Sequence, residues 1–237
     1  MNADASSPKD TTGPVHSASS QECCSSEWEL AYARFETSEE EIAKFIRRLR
    51  AVGAERWPRD WRLLELCSGR GNGLKALEKL GFQSIEGLDL SNSLISQYHG
   101  SAKCYVADCR KLPFDDASRD LILVQGGLHH LPRIPADLEQ TLEEIHRVLK
   151  PAGRFFLVEP WLTPFLRAVH FVCRIRIARK LVGKIDALAT MIDNEYETYQ
   201  QWLAQPSIIL SLLDQRFAAE LHQTKLGKLV YLGRKRD

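Results

Sequence analysis

Between residues 61 and 159 short apolar runs alternate with amphipathic stretches, and few folds accommodate such a pattern. The runs at Trp61 to Leu66, Ser84 to Leu90, Lys103 to Ala107, Leu121 to Gln125 and Arg154 to Glu159 have the length and composition of buried strands. Helices are predicted over Gly73 to Leu80, closed by Gly81, and over Ala136 to Leu149, closed by Pro151 and Gly153. Strand and helix in alternation imply a parallel sheet with right-handed crossovers and helices on both faces. The expected class is therefore α/β, a doubly wound, Rossmann-like, seven-stranded and mostly parallel sheet.

The flanks complete that expectation. Residues 1 to about 25 are rich in Ser, Thr, Pro and Gly and poor in large apolar groups, so they are read as a disordered tail. Residues 26–58 are predicted to form N-terminal helices. Trp28, Tyr32 and Phe35 recur at helical spacing, and Ser38 before Glu39, Glu40 and Glu41 reads as a helix cap. That second helix carries Ile42, Phe45, Ile46 and Leu49 on one face and should end near Gly53. Residues 59–160 form the core and residues 161–215 a helical cap. Residues 216–237 form a closing antiparallel hairpin from Arg216 to Gln223 and Lys228 to Gly233, turning at Gly227. A chain of 237 residues suits one such domain.

Charge and cysteine content narrow the partners. Acidic and basic residues nearly cancel, leaving a formal charge of +1, which gives no field for nucleic acid. The six cysteines form no C-x-x-C pair and read as reduced thiols of a cytoplasmic protein. No run approaches the roughly 20 apolar residues of a membrane span, and the start lacks a secretory layout.

The chemistry concentrates in Glu65-Leu66-Cys67-Ser68-Gly69-Arg70-Gly71-Asn72-Gly73, after a strand and at the start of a helix. Alternate glycines let the backbone turn tightly and approach a ligand, and the free amides of the following helix favour an anionic group. Asp89 ends the second strand 20 residues after Gly69, where a carboxylate accepts hydrogen bonds from ribose hydroxyls. Three further motifs follow in order: Gly87-Leu88-Asp89-Leu90-Ser91, Asp108-Cys109-Arg110-Lys111-Leu112-Pro113-Phe114 and His146-Arg147-Val148-Leu149-Lys150-Pro151-Ala152-Gly153. With the first, they make residues 60 to 160 resemble the class I S-adenosylmethionine-dependent methyltransferases, in particular the branch that includes the ubiquinone and menaquinone methyltransferases. The resemblance implies S-adenosylmethionine as cofactor and S-adenosylhomocysteine as product. It assigns Glu65, Leu66, Cys67, Gly69, Gly71, Gly73, Asp89, Leu90, Asp108, Cys109 and Gln125 to the cofactor site. Glu65 would lie near the amino group, Asp89 at the ribose, and Asp108 with Cys109 at the adenine edge. Two positions depart from the pattern: Arg70 stands between the first two glycines, either as a solvated loop arginine or at the mouth of the pocket facing a carboxylate, and Ala152 replaces a glycine.

The acceptor side is less defined. The segment Gln125-Gly126-Gly127-Leu128-His129-His130-Leu131-Pro132 follows the fourth strand and lacks the Pro-Pro-aromatic signature that related enzymes use for amides and nucleobase amines. The acceptor is thus expected to be a small, rather apolar metabolite, lipid- or quinone-like. His129 and His130 are the candidate general bases, since an imidazole pKa near 6.5 suits proton removal, with Glu159 a second candidate by position. No metal site is expected, because the two histidines project from one loop without a third donor at helical spacing. Residues 161–184 join many apolar groups to Arg167, Arg174, Arg176, Arg179, Lys180 and Lys184 and contain no acid. They read as a lid over the site, or as a segment meeting an anionic membrane surface. Tyr196, Tyr199 and Trp202 share a helical stripe that either lines a pocket or docks the cap. A nicotinamide-dependent oxidoreductase shares the glycine turn and the ribose acid but not the later motifs.

Overall fold

The computed structural model describes residues 25–237. The tail expected over residues 1 to about 25 lies outside them, save Ser25, whose hydroxyl accepts the Trp28 amide and caps the first helix. Two N-terminal helices, α1 (Ser26–Phe35) and α2 (Ser38–Ala51), precede the sheet. The α2 cap is Thr37, one residue before the expected Ser38. Its hydroxyl accepts the Glu40 amide at 3.2 Å, and the Glu40 carboxylate accepts the Thr37 amide at 3.0 Å. This reciprocal arrangement needs the acid three residues on, and only Thr37 has an acid there that reaches back.

The core runs β1 (Arg62–Leu66), α3 (Asn72–Lys79), β2 (Ser84–Asp89), α4 (Asn92–Ile95), β3 (Lys103–Val106), β4 (Arg119–Gln125), α5 (Ala136–Val148) and β5 (Leu149–Pro160). Helices α6 (Pro164–Cys173), α7 (Arg176–Leu181), α8 (Gly183–Asn194), α9 (Tyr196–Ala204) and α10 (Pro206–Arg216) follow, and β6 (Phe217–Lys225) and β7 (Lys228–Lys235) close the chain. The seven strands lie in the order β3-β2-β1-β4-β5-β7-β6, with β7 antiparallel to both neighbours and the other six strands running one way. Leu226 and Gly227, both with positive φ, make the tight turn between β6 and β7.

Because side chains alternate along a strand, one set of residues packs on each face. Leu64, Leu66, Ile122, Val124, Phe155 and Leu157 join Leu138, Leu142 and Ile145 of α5 and Ile209, Leu212 and Leu213 of α10. Leu63, Leu121, Leu123, Phe156 and Val158 join Leu49 of α2, Leu74 and Leu77 of α3, Trp57 and Phe82. Both faces of the central strands are thus dry, which is why they read as unbroken apolar runs. The strand β5 starts at Leu149, five residues before Arg154: Leu149 pairs with Arg119 ahead of a register shift, and Ala152 turns the chain at φ 61°.

The segment expected as a single cap divides in two. Helix α10 belongs to the sheet-covering layer, and α6 to α9 form the cap. There α8 packs on α1, and polar pairs join the two regions: Arg34 with Asp186, Lys184 with Glu40, and the Trp28 indole with Glu195.

Candidate functional site

The strand order reverses direction at β1, between β2 and β4, and the carboxyl ends of those strands open onto a cavity of about 570 Å³. Crevices at such reversals are where open α/β sheets bind ligands. The turn after β1 builds its floor. Cys67 (φ 53°), Gly69 (φ 50°) and Gly71 (φ 76°) all take left-handed backbone, which costs strain at the non-glycine Cys67 and swings the chain directly into α3. At Gly73 any Cβ would collide with the Glu65 carboxylate, so the missing side chain lets helix and acid meet.

Glu65, 3% exposed, lines the cavity, and its Oε2 has no hydrogen-bond partner among the described residues. Burial, reinforced by the charge of Glu41, pushes its pKa up to about 8. Glu41 lies beside it on the cavity wall, held by the Asn72 amide at 2.7 Å and by the Tyr32 hydroxyl. Arg70 lines the same end: its guanidinium lies 5.1 Å from the Tyr32 ring centroid, and its buried Nη2 lacks a partner among the described residues. Two acids and a guanidinium with a buried, unpartnered Nη2 among the described residues, beside a helix amino terminus, have the chemistry to receive a zwitterion, the acids suiting an ammonium and Arg70 a carboxylate.

The other end suits a nucleoside. Asp89 accepts the Gly69 amide at 2.8 Å and the Ser91 amide at 2.9 Å. Burial raises its pKa in spite of these bonds, and its carboxylate faces the cavity with Leu90 beside it. Asp108 and Cys109 line the wall after β3. Burial works to raise the Asp108 pKa, but Arg110, with contacts of 2.6 to 3.0 Å, outweighs it and holds the carboxyl low. Gln125 and Gly126 from the end of β4 complete the wall.

The lining thus contains Glu65, Cys67, Gly69, Asp89, Leu90, Asp108, Cys109 and Gln125. Leu66, fully buried, packs in the core on the opposite face from Glu65. Gly71 and Gly73 shape the turn and the helix start without lining the cavity. His130 lines it, whereas His129 stands behind, 6% exposed. Glu159 is closed to the cavity: its Oε1 accepts the Gly127 and Leu128 amides at 2.8 Å each, and its Oε2 lies 2.6 Å from His129 Nδ1. A carboxylate so engaged positions the histidine and is not available as a base.

The cover comes from an unexpected place. Trp28, Leu30, Tyr32 and Ala33 of α1, with Phe45 of α2, form the apolar wall, and none of residues 161–184 lines the cavity. Tyr199 and Trp202 are buried in the core, Trp202 donating to the Pro160 carbonyl at 2.9 Å, so that part of the aromatic stripe docks the cap. Trp28 and Tyr32, stacked at 5.0 Å, carried a signal only as helix-spaced aromatics. Glu41 and Glu195 gave none, since isolated acids on helices are ordinarily solvated.

A mostly parallel sheet in this order, with acids at the ends of β1 and β2 and a glycine turn into α3, is the arrangement of the class I S-adenosylmethionine-dependent methyltransferases, and the comparisons with known proteins support that class for this chain. Within it, residues 64–157 match the family model described as a methyltransferase domain. The chain is 30% identical over 152 residues to the ubiquinone/menaquinone biosynthesis C-methyltransferase UbiE of Geotalea daltonii, covering 54% of this chain and 63% of that protein. It is 27% identical over 183 residues to the demethylmenaquinone methyltransferase of Clavibacter sepedonicus, covering 73% and 72%. The chain spans about half to two thirds of the length of most of the curated relatives it matches. A solved protein of Pyrococcus horikoshii shares the fold with a TM-score of 0.66 at 17% identity, over 90% of this chain and all of the other.

Proposed function

We propose that the chain transfers a methyl group from S-adenosylmethionine to a small, apolar, quinone- or lipid-like acceptor seated under α1. The observation that carries this reading is the pairing of buried, unpartnered polar atoms on Glu65 and Arg70 with the Asp89 carboxylate at the other end of one cavity. That set of charges suits a ligand with an amino-acid end and a ribose. When bound, the cofactor supplies an activated methyl group, so the protein's contribution is orientation and exclusion of water. Glu65, Glu41 and Arg70 hold the amino-acid end, Asp89 the ribose and Asp108 the adenine edge. Trp28, Tyr32 and Phe45 present an apolar face to the acceptor, and His130, backed by His129, stands at the cavity wall to activate its nucleophilic atom.

One further observation favours approach from a lipid surface. Among the described residues no helix is long and apolar enough to cross a membrane. Yet Phe171, Ile177 and Leu181 of α6 and α7 are 67%, 69% and 78% exposed, next to Arg174, Arg176 and Lys180. An apolar face rimmed by cations supports peripheral contact with anionic lipid.

Calorimetry with S-adenosylmethionine, S-adenosylhomocysteine and NAD tests the cofactor, followed by transfer of labelled methyl to a panel of apolar phenols and quinols. Micromolar affinity, on the order of 8 kcal/mol, for the first two ligands only is expected. Tight NAD binding with none of the sulfur ligands would replace the reading with an oxidoreductase. Co-sedimentation with anionic but not neutral vesicles is expected for the membrane face.

A further inference from the structure

His129 and His130 come from the short 3-10 turn after β4, and Glu195 from the junction of α8 and α9. The fold brings them together: His130 Nδ1 lies 3.4 Å and His129 Nε2 3.8 Å from Glu195 Oε2, and one donor atom from each residue falls within 4.8 Å of the others. The third donor missing from the sequence pattern is supplied by a helix junction 65 positions further along the chain than His130.

The surroundings of His129 define what it can offer. Both Glu159 oxygens accept hydrogen bonds, Oε1 from two backbone amides. A carboxylate so held accepts a hydrogen bond from His129 Nδ1–H at 2.6 Å, which fixes the ring with Nε2 toward Glu195. Two imidazole nitrogens and a carboxylate oxygen thus converge on one point, an arrangement that a shared positive charge, a proton or a metal ion, holds together. A histidine ligand whose second nitrogen donates to a carboxylate is the outer-shell pattern of protein metal sites.

We propose that His129 Nε2, His130 Nδ1 and Glu195 bind one divalent first-row transition-metal ion at the wall between the cofactor cavity and a second cavity. That second cavity, of about 430 Å³, is lined by His130, Asp193, Glu195 and Thr198, and Trp28 and His130 border both. Two imidazoles and one carboxylate select such ions over magnesium and leave coordination positions open. Glu159 is the outer-shell orienter, and the Trp28 indole steadies Glu195 from 3.1 Å. Lys228, half-buried and close enough to Glu159 and Glu195 for their charges to act on it, is the competing cation.

The site deepens the methyltransferase reading, on which its chemical role rests. It selects an acceptor bearing a hydroxyl. With an ion held by His129, His130 and Glu195, the acceptor hydroxyl would be acidified and would lose its proton to solvent as its oxygen bonded to the methyl carbon, while the carbon–sulfur bond would break with its electron pair left on sulfur. Lowering the hydroxyl pKa in this way is ordinary Lewis-acid work.

The test is titration of the chelator-stripped full chain with cobalt(II) and zinc(II), followed by visible absorption and calorimetry. One equivalent should bind at micromolar affinity or tighter, with cobalt bands of mixed nitrogen and oxygen coordination. Glu195→Gln, which keeps the volume, should weaken binding at least tenfold while its Tm and its S-adenosylhomocysteine affinity stay within error of wild type. Glu159→Gln should weaken it less and shift the bands. Absence of binding at millimolar metal, or equal affinity in wild type and Glu195→Gln, would overturn the site and leave a proton shared among the three groups. Metal binding without S-adenosylhomocysteine binding would retain the site and remove the methyltransferase reading, and the converse would do the opposite.

Discussion

The two walls of the main cavity are built on different principles. On the cofactor side Glu65, Asp89, Asp108 and Gln125 each sit at or just after the end of a neighbouring parallel strand, so the sheet sets their spacing. On the acceptor side Trp28, Tyr32, Phe45 and His130 come from helices and a turn, joined through contacts such as Trp28 to Glu195 that span 167 residues of chain. The first wall is fixed by backbone pairing and tolerates little change. The second depends on helix docking and can be refitted to another acceptor without disturbing the first.

That contrast is broken or sharpened by substitution. The largest effect is expected for Asp89→Ala, which removes the ribose acceptor and leaves the Gly69 and Ser91 amides unpaired. Charge-assisted hydrogen bonds contribute about 1.5–3 kcal/mol each, so calorimetry should show cofactor affinity falling roughly 100-fold. Retention within twofold would mean that the strand ends do not carry the binding. Arg70→Ala should cost about tenfold, the scale of one charged contact partly open to solvent. It should also abolish discrimination between the cofactor and its decarboxylated analogue, and a preference that survived would place the carboxylate elsewhere.

Glu65 gives the pH signature. Its carboxyl titrates at about 8 in the empty protein, against an ordinary 4.5. An acid with a raised pKa binds a proton in the fold that the unfolded chain has released, so the empty protein loses stability as pH rises from 4.5 to about 8. A bound ammonium favours the ionised form, so cofactor binding releases a proton near neutrality. Affinity should rise severalfold with pH and level off above about 8, visible as buffer-dependent binding heats that vanish in Glu65→Gln. On the other wall, Trp28→Ala removes the stack on Tyr32 and the bond to Glu195. Hydrogen exchange in residues 26–35 should accelerate, with a cofactor affinity change of only about threefold, because helix docking and not strand pairing is lost. Smallest at the site is Thr37→Ala, which removes the α2 cap at a cost of about 1 kcal/mol in thermal stability and leaves cofactor affinity unchanged.

The same division decides what the sequence reveals. The strands of the core and the acids at their ends are legible because local periodicity and chain order place them: Glu65 ends a run buried on both faces, and Asp89 ends the next. Boundaries shift where a local signal is shared. Ser38 and Thr37 both suit a cap, and only Thr37 completes the reciprocal pair; Pro151 and Gly153 read as a helix stop while the strand has begun at Leu149. The covering wall is illegible for another reason. Residues 161–184 follow the fifth strand directly and so look placed to close the site, but α8 docks on α1, and α1 does the covering. Nothing within a sequence window distinguishes Glu195, which meets His130, from Glu197 two residues on.

The docking of α1 on α8 and the α8–α9 junction also orders events during synthesis. Trp28 leaves the ribosome early, but its partner Glu195 is made 167 residues later, after all four strands that hold the cofactor-side residues. The binding half can therefore assemble while its cover is still unpartnered. Cofactor present during translation would meet an open cleft, and the cavity would be sealed only as the last quarter of the chain emerges.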